Sequence, residues 1–201
     1  MSDSRLQNDI DYIKSLAEAG GTGPLRNGAN LLWAGIIYAV AALGQYAIAK
    51  HWLPQDAWLS LSLWFGGSLI FAVIATLGGM ARRKRAGSSA VKAAESAWDG
   101  VGLGLGAFLL TAYVVATHSP DPASITFLLA PGVLLLYGIG WWVSARMSKQ
   151  TWLKFIAFGC FLGAPLMGLM AGQPEQLLAY AACLILFAAV PGVILMRAEK
   201  A

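Results

Sequence analysis

Six stretches without a single Asp, Glu, Lys or Arg divide this chain, at 27–49, 57–81, 100–117, 122–145, 155–174 and 176–196, each 18 to 25 residues long. A helix needs roughly 20 residues to cross the hydrocarbon core of a bilayer. A soluble helical protein would not repeat such a stretch six times, because its helices keep a polar face for water. The pattern predicts an all-α integral membrane protein with six transmembrane helices, at about 29–49, 57–80, 98–117, 123–144, 152–171 and 175–196. Only 12% of the residues are charged, about half the usual share in soluble domains. The division that follows is a segment 1–27, a six-helix domain 28–197, and within it a basic loop 82–97.

The block Arg82, Arg83, Lys84 and Arg85 lies between the second and third hydrophobic stretches. Four consecutive cations cross a bilayer poorly and face the anionic cytoplasmic leaflet favourably. With this loop inside, alternation places 13 of the 14 Lys and Arg on the same side, leaving Lys50 alone outside. Both termini are then expected in the cytoplasm. The short loops point to a bacterial inner (plasma) membrane, spanned several times. The net charge of +4 is arranged for topology and gives no nucleic-acid signal.

Ahead of the first span, Leu6, Ile10, Ile13 and Ala17 recur at helical spacing, with Ser4 and Gln7 in a capping-box relation. A short amphipathic helix is expected, ended by Gly20, Gly21 and Pro24. Residues 1–20 carry a net charge of −2, which suits a basic protein surface better than anionic lipid. Leu6, Ile10 and Ile13 are expected to dock on the cytoplasmic surface, with Asp9 or Asp11 near the basic loop. The long acidic lead is unlike a signal peptide, so the first span is expected to stay in place.

Several features bear on chemistry. Gly100, Gly102, Gly104 and Gly106 form two overlapping GxxxG pairs on nearly opposite faces of the third span, and Gly159 with Gly163 repeats the device on the fifth. Both sets are expected to be helix-packing sites, and the first to put the third span at the centre of the bundle. No charged residue lies deep in any span, which disfavours an ion-coupled transporter. Asp99, at the start of the third span, is accounted for as an N-terminal charge.

His51, Asp56, His118, Asp121 and Glu175 gather at the outer ends, without the spacing of a metal site. Pro131, Pro165 and Pro191 interrupt the fourth to sixth spans. If Gln45, Tyr46, Thr111 and Tyr113 face inward near Pro131 and Pro165, they line a ligand cavity in the outer leaflet. Cys160 and Cys183 are expected as small packing residues. The sequence lacks G-x-S-x-G, H-E-x-x-H and clustered aspartates.

The sequence therefore predicts no cofactor, no bound metal and no catalytic residue. Its expected partners are the lipid bilayer, through Arg82 to Arg85, and a second membrane protein or another copy of the chain. The expected role is non-enzymatic, as an accessory subunit acting through protein–protein interaction. The alternative is a small permease, or a membrane protein that binds lipid or a small molecule in the outer cavity.

Overall fold

The computed structural model describes residues 28–82, 89–120 and 125–199, together with 7 and 10–12. No strand occurs among the described residues. Helix α1 is Gly28–Ala49. Helix α2 begins as Ala57–Leu61, passes through a π-helical turn at Ser62–Gly66 and continues as Gly67–Arg82. Helix α3 is Ser89–His118, α4 is Leu129–Ser148 and α5 is Trp152–Leu169. Helix α6 runs through Glu175–Leu184, a second π-helical turn at Ile185–Ala189, and Val190–Ala198. Gln7 and residues 10–12 are helical, but Ile10 is 58% exposed, so the expected docking does not bury it. Leu6, Asp9 and Ile13 lie outside the described residues.

Five of these helices are long and apolar enough to cross a membrane: α1, α2, α3, α5 and α6. Helix α4 occupies the fourth charge-free stretch, yet Pro131, three glycines, two tryptophans and Arg146 dilute it. Its position explains that composition. Leu134 and Trp141 are fully buried, and Tyr137, Gly138, Gly140, Ser144 and Ala145 are buried with them. A helix face turned to protein has less need to be apolar than one turned to lipid, and the exposed side of α4, with Leu135 and Ile139, is apolar.

The packing has two halves. Helix α1 lies between α2 and α6, and α4 lies between α3 and α5. One buried cluster joins Leu31 of α1 to Val101, Trp141, Leu153, Cys160, Ala188 and Leu195 of the other helices. A second joins Ala39 and Ala42 to Leu134, Ala164, Met167, Tyr180 and Leu184. Within a bilayer, lipid tails are as apolar as leucine, so helices associate through close fit more than through the hydrophobic effect. At α1 and α6 the fit reaches the backbone. A Cβ on Gly35 would lie 2.5 Å from the amide nitrogen of Ala189, and one on Gly192 would lie 2.5 Å from that of Leu32. Gly28, Gly35 and Ala42 recur every seven residues and so share one face of α1.

Aromatic rings fill the other glycine gaps. Phe161 sits over Gly138 and Phe187 over Gly159, each closer than 3 Å to where a Cβ would be. Gly163 meets Leu134 Cδ1 at 3.4 Å by the same measure.

The expected central place of α3 is corrected. Gly100, Gly102 and Gly106 have nothing within 4 Å of a Cβ position, and Gly104 meets only Leu136 Cδ2, at 3.6 Å. Helix α3 packs on α4 through Val91, Ala94, Trp98, Val101 and Leu105, spaced alternately by three and four residues. That stripe takes the buried face, so the glycines fall off it. Pro131 is corrected too: it is the third residue of α4, not a kink in mid-span, because α4 begins at Leu129 rather than near 123.

The two glycine sets should therefore respond differently. Gly192→Leu sets a side chain against the backbone of α1 and should cost at least about 1–3 kcal/mol in overpacking, read as a lower Tm in detergent. Gly102→Leu should leave the Tm unchanged.

Candidate functional site

In a membrane interior each backbone N–H and C=O needs a partner within the protein. Proline removes a donor and leaves the carbonyl four residues earlier without its helical bond. Pro191 does this to Phe187. Pro131 instead stands in the first turn of α4, where its missing N–H would have had no helical partner, and the Phe127 carbonyl belongs to the turn that leads into α4. Gln176 Nε2 of α6 donates to the Phe127 carbonyl at 3.0 Å. Trp141 Nε1 of α4 donates to the Phe187 carbonyl at 2.8 Å. Thus α4 supplies a donor to the carbonyl that Pro191 leaves free in α6, and α6 supplies one to the turn that leads into α4.

Gln176 Nε2 also donates to the Met167 carbonyl near the end of α5, at 3.0 Å. Both partners are acceptors, which fixes the orientation of the amide. The π-helical turn of α6 lies just before Pro191, and there Val190 N–H reaches back to the Ile185 carbonyl. The turn of α2 is tied in a comparable way. Ser68 Oγ donates to the Trp64 carbonyl at 2.7 Å, and with its one proton spent it accepts from Tyr38 O–H of α1 at 3.1 Å.

Around Trp141 the aromatic groups form a cluster. Trp98 meets Trp141 edge-on at 5.0 Å between centroids and Tyr137 at 5.7 Å. Its Nε1 donates to Ser144 Oγ at 2.9 Å. Ser148 Oγ donates to the Ser144 carbonyl at 2.8 Å, so the buried serines of α4 are paired.

The end of the bundle that carries the turn after α1 and the start of α6 holds the one ion pair found among the described residues, Lys50 with Glu175. It ties the end of α1 to the start of α6, and Lys50 also lies 5.7 Å from the Tyr46 ring centroid. The hydrogen bond to Glu175 raises the Lys50 pKa above its ordinary 10.5. The same bond lowers the Glu175 pKa below its ordinary 4.5. The pair's contribution is therefore complete between the two ordinary values, and is lost as pH rises through the raised Lys50 value or falls through the lowered Glu175 value.

The outer histidines serve helix ends. His51 adopts φ 59°, and the bonds from His51 N–H to Ile48 and from Trp52 N–H to Ala47 close a Schellman cap on α1. His118 Nδ1 turns back to the Val114 carbonyl at 2.8 Å. Asp56 accepts from Trp58 N–H at 3.0 Å and caps α2. No group of three metal-binding side chains occurs among the described residues. Asp121, Arg83, Lys84 and Arg85 lie outside them, and Arg82 ends α2.

The expected outer cavity is not formed by its named residues. Thr111, Tyr113 and Pro165 are exposed on the outside of the bundle, Tyr113 at 67%, while Pro131 is buried. Helix α3 turns its Val101 and Leu105 stripe to α4, which directs Thr111 and Tyr113 away. Tyr46 packs edge-on against Trp52 at 5.7 Å. Gln45 is half-buried, and its Oε1 has no hydrogen-bond partner.

Two shallow depressions are present instead. One, of about 510 Å³, is lined by Trp58, Leu61, Ser62 and Phe65 on a single face of α2. The other, of about 200 Å³, lies between α1 and α6 and is lined by Leu32, Val193, Met196 and Arg197.

Sequence reasoning missed the exchange between α4 and α6. Part of its signal was present: Pro191 marks a carbonyl four residues back, and Gln176 and Trp141 are polar donors in otherwise apolar spans. Comparison with protein families, characterised proteins and solved structures finds no match to this chain.

Trp141→Phe keeps an aromatic ring but removes the N–H, leaving the buried Phe187 carbonyl without this donor. The expected cost is about 1–3 kcal/mol, measured by denaturant or thermal unfolding in detergent. Trp142→Phe, on the exposed side of α4, should have a much smaller effect.

Proposed function

We propose that this chain crosses the membrane six times with both termini in the cytoplasm, and acts by lateral association with another membrane protein, as an accessory subunit would. The observation that carries this reading is the open Gly102 and Gly106 face of α3. These two glycines, four residues apart, have no neighbour within 4 Å of a Cβ position, while the Val101 and Leu105 stripe of the helix is packed on α4. Small residues at that spacing let a second helix approach to backbone distance, where packing and Cα–H···O contacts hold helices together in lipid. Six spans follow from counting buried α4 as a span. The orientation follows from the cation count, 13 of 14 on one side. The competing permease reading needs an outer cavity, and the residues named for it stand apart.

Two measurements test the proposal. Reporters fused after Gly87 and after Ala201 should read cytoplasmic, and one after Asp121 external; an external signal at Gly87 overturns the orientation. For association, the protein is extracted from its native membrane in mild detergent and its mass determined by native mass spectrometry. A complex heavier than one chain is expected, and Gly102→Leu with Gly106→Leu should dissociate it without lowering the Tm of the chain. A single-chain mass in every preparation overturns the reading.

A further inference from the structure

The seam between α1 and α6 ends in a groove that joins apolar walls to a cation. Gly28 and Gly192 bring the two backbones into contact there: a Cβ on Gly28 would lie 2.7 Å from the Gly192 carbonyl oxygen and from the Met196 amide nitrogen. When helices touch at the backbone, the side chains flanking the contact form the walls of an open furrow. Leu32 supplies one wall, Val193 and Met196 the other, and the hollow between them measures about 200 Å³. Leu195 points the other way and is buried in the core.

Arg197 stands at the mouth of the furrow, in the last turn of α6. It is exposed and makes no ion pair among the described residues. The same end of the bundle carries Arg146 and Lys149 at the end of α4 and Lys154 at the start of α5. This is the end that the cation count assigns to the cytoplasmic leaflet, where anionic lipids concentrate.

We propose that this groove is a binding site for one anionic glycerophospholipid, with an acyl chain along Leu32, Val193 and Met196 and the phosphate on the Arg197 guanidinium. An apolar furrow opening sideways from a spanning helix pair meets lipid chains. A guanidinium at its mouth matches a phosphate with paired, charge-assisted hydrogen bonds. The larger depression on α2 has no such selector, since Trp58, Leu61, Ser62 and Phe65 carry no charge. The site uses α1 and α6 only and does not depend on association through α3.

The test uses the full-length protein, delipidated in mild detergent and titrated with phosphatidylglycerol or with phosphatidylcholine of the same acyl chains. Native mass spectrometry counts the lipids retained. Wild type should retain one phosphatidylglycerol in preference to phosphatidylcholine. Arg197→Gln should weaken that retention about tenfold, the loss of a charge-assisted contact, while Arg197→Lys should restore part of it. Arg146→Gln, which removes a cation at the same end, should leave it unchanged. Val193→Phe should fill the furrow and weaken both lipids, with its Tm as the control for folding; if that variant unfolds, the Arg197 series alone decides. Equal retention of the two lipids by wild type, or an unchanged phosphatidylglycerol adduct in Arg197→Gln, overturns the site. Either failure would leave the α3 proposal standing, because that proposal is read from protein mass and not from lipid adducts.

Discussion

A backbone carbonyl in an apolar interior has no water to turn to. This fold leaves two carbonyls, that of Phe127 before α4 and that of Phe187 four residues before Pro191, to side-chain donors from another helix. The structure depends on how those two are satisfied. Helix α6 sends Gln176 to Phe127 beside Pro131, and α4 sends Trp141 to Phe187 beside Pro191. Each bond alone contributes modestly; its absence would strand a polar group in an apolar interior, which costs more than the bond contributes. The donors come from opposite helices, so the two bonds tie α6 to α4 and to the turn that leads into it. Trp141 lies at the centre of the larger buried cluster, so the polar exchange and the apolar packing converge on one residue.

The remaining cohesion comes from contact distance. Helices α1 and α6 touch at Gly28, Gly35 and Gly192, where no side chain could be accommodated. Helices α4, α5 and α6 interlock instead by setting the rings of Phe161 and Phe187 over Gly138 and Gly159. Both arrangements answer the same problem, since apolar burial offers little gain in lipid and only close fit distinguishes one helix neighbour from another. A ring over a glycine and a backbone against a backbone are two ways of removing the gap.

Charge-free stretches were enough to locate the helices, because length and the lack of charge are one-dimensional properties. Helix α1 starts one residue before the expected 29, and α5 and α6 lie within two residues of their expected bounds. The start of α4 was misplaced, since Ser124 to Leu128 are as apolar or small as a span, and only Pro131 marks the first turn. The π-helical turns were not legible. A one-residue slip in the helical period shows only against a polar face, and neither α2 nor α6 has one there. Among the glycines, density misled. Four in seven residues drew attention to α3, whereas the glycines in backbone contact, Gly28, Gly35 and Gly192, are widely separated. The packing stripe of α3 was readable from Val91, Ala94 and Trp98, and following it to Val101 and Leu105 would have put the glycines off the buried face.

The helix that falls short of the composition of a span, α4, turns one face into the protein with Trp141 and Ser144 buried on it, while none of the apolar stretch Ala57–Gly78 in α2 is buried and little of that in α3. The arrangement is physically consistent: lipid tolerates only apolar side chains, whereas a protein interior can satisfy Ser144, Trp98 and Trp141 with hydrogen bonds. A consequence follows for any helix that binds α3. It would exchange lipid for protein with no gain from apolar burial, so leucine-rich surface such as Leu103 and Leu110 would confer little preference for one partner. Preference would come from the glycines, where a partner backbone can approach more closely than a lipid tail packs. The Gly102 and Gly106 face of α3 thus offers, on the outer surface, the same means by which α1 and α6 hold each other.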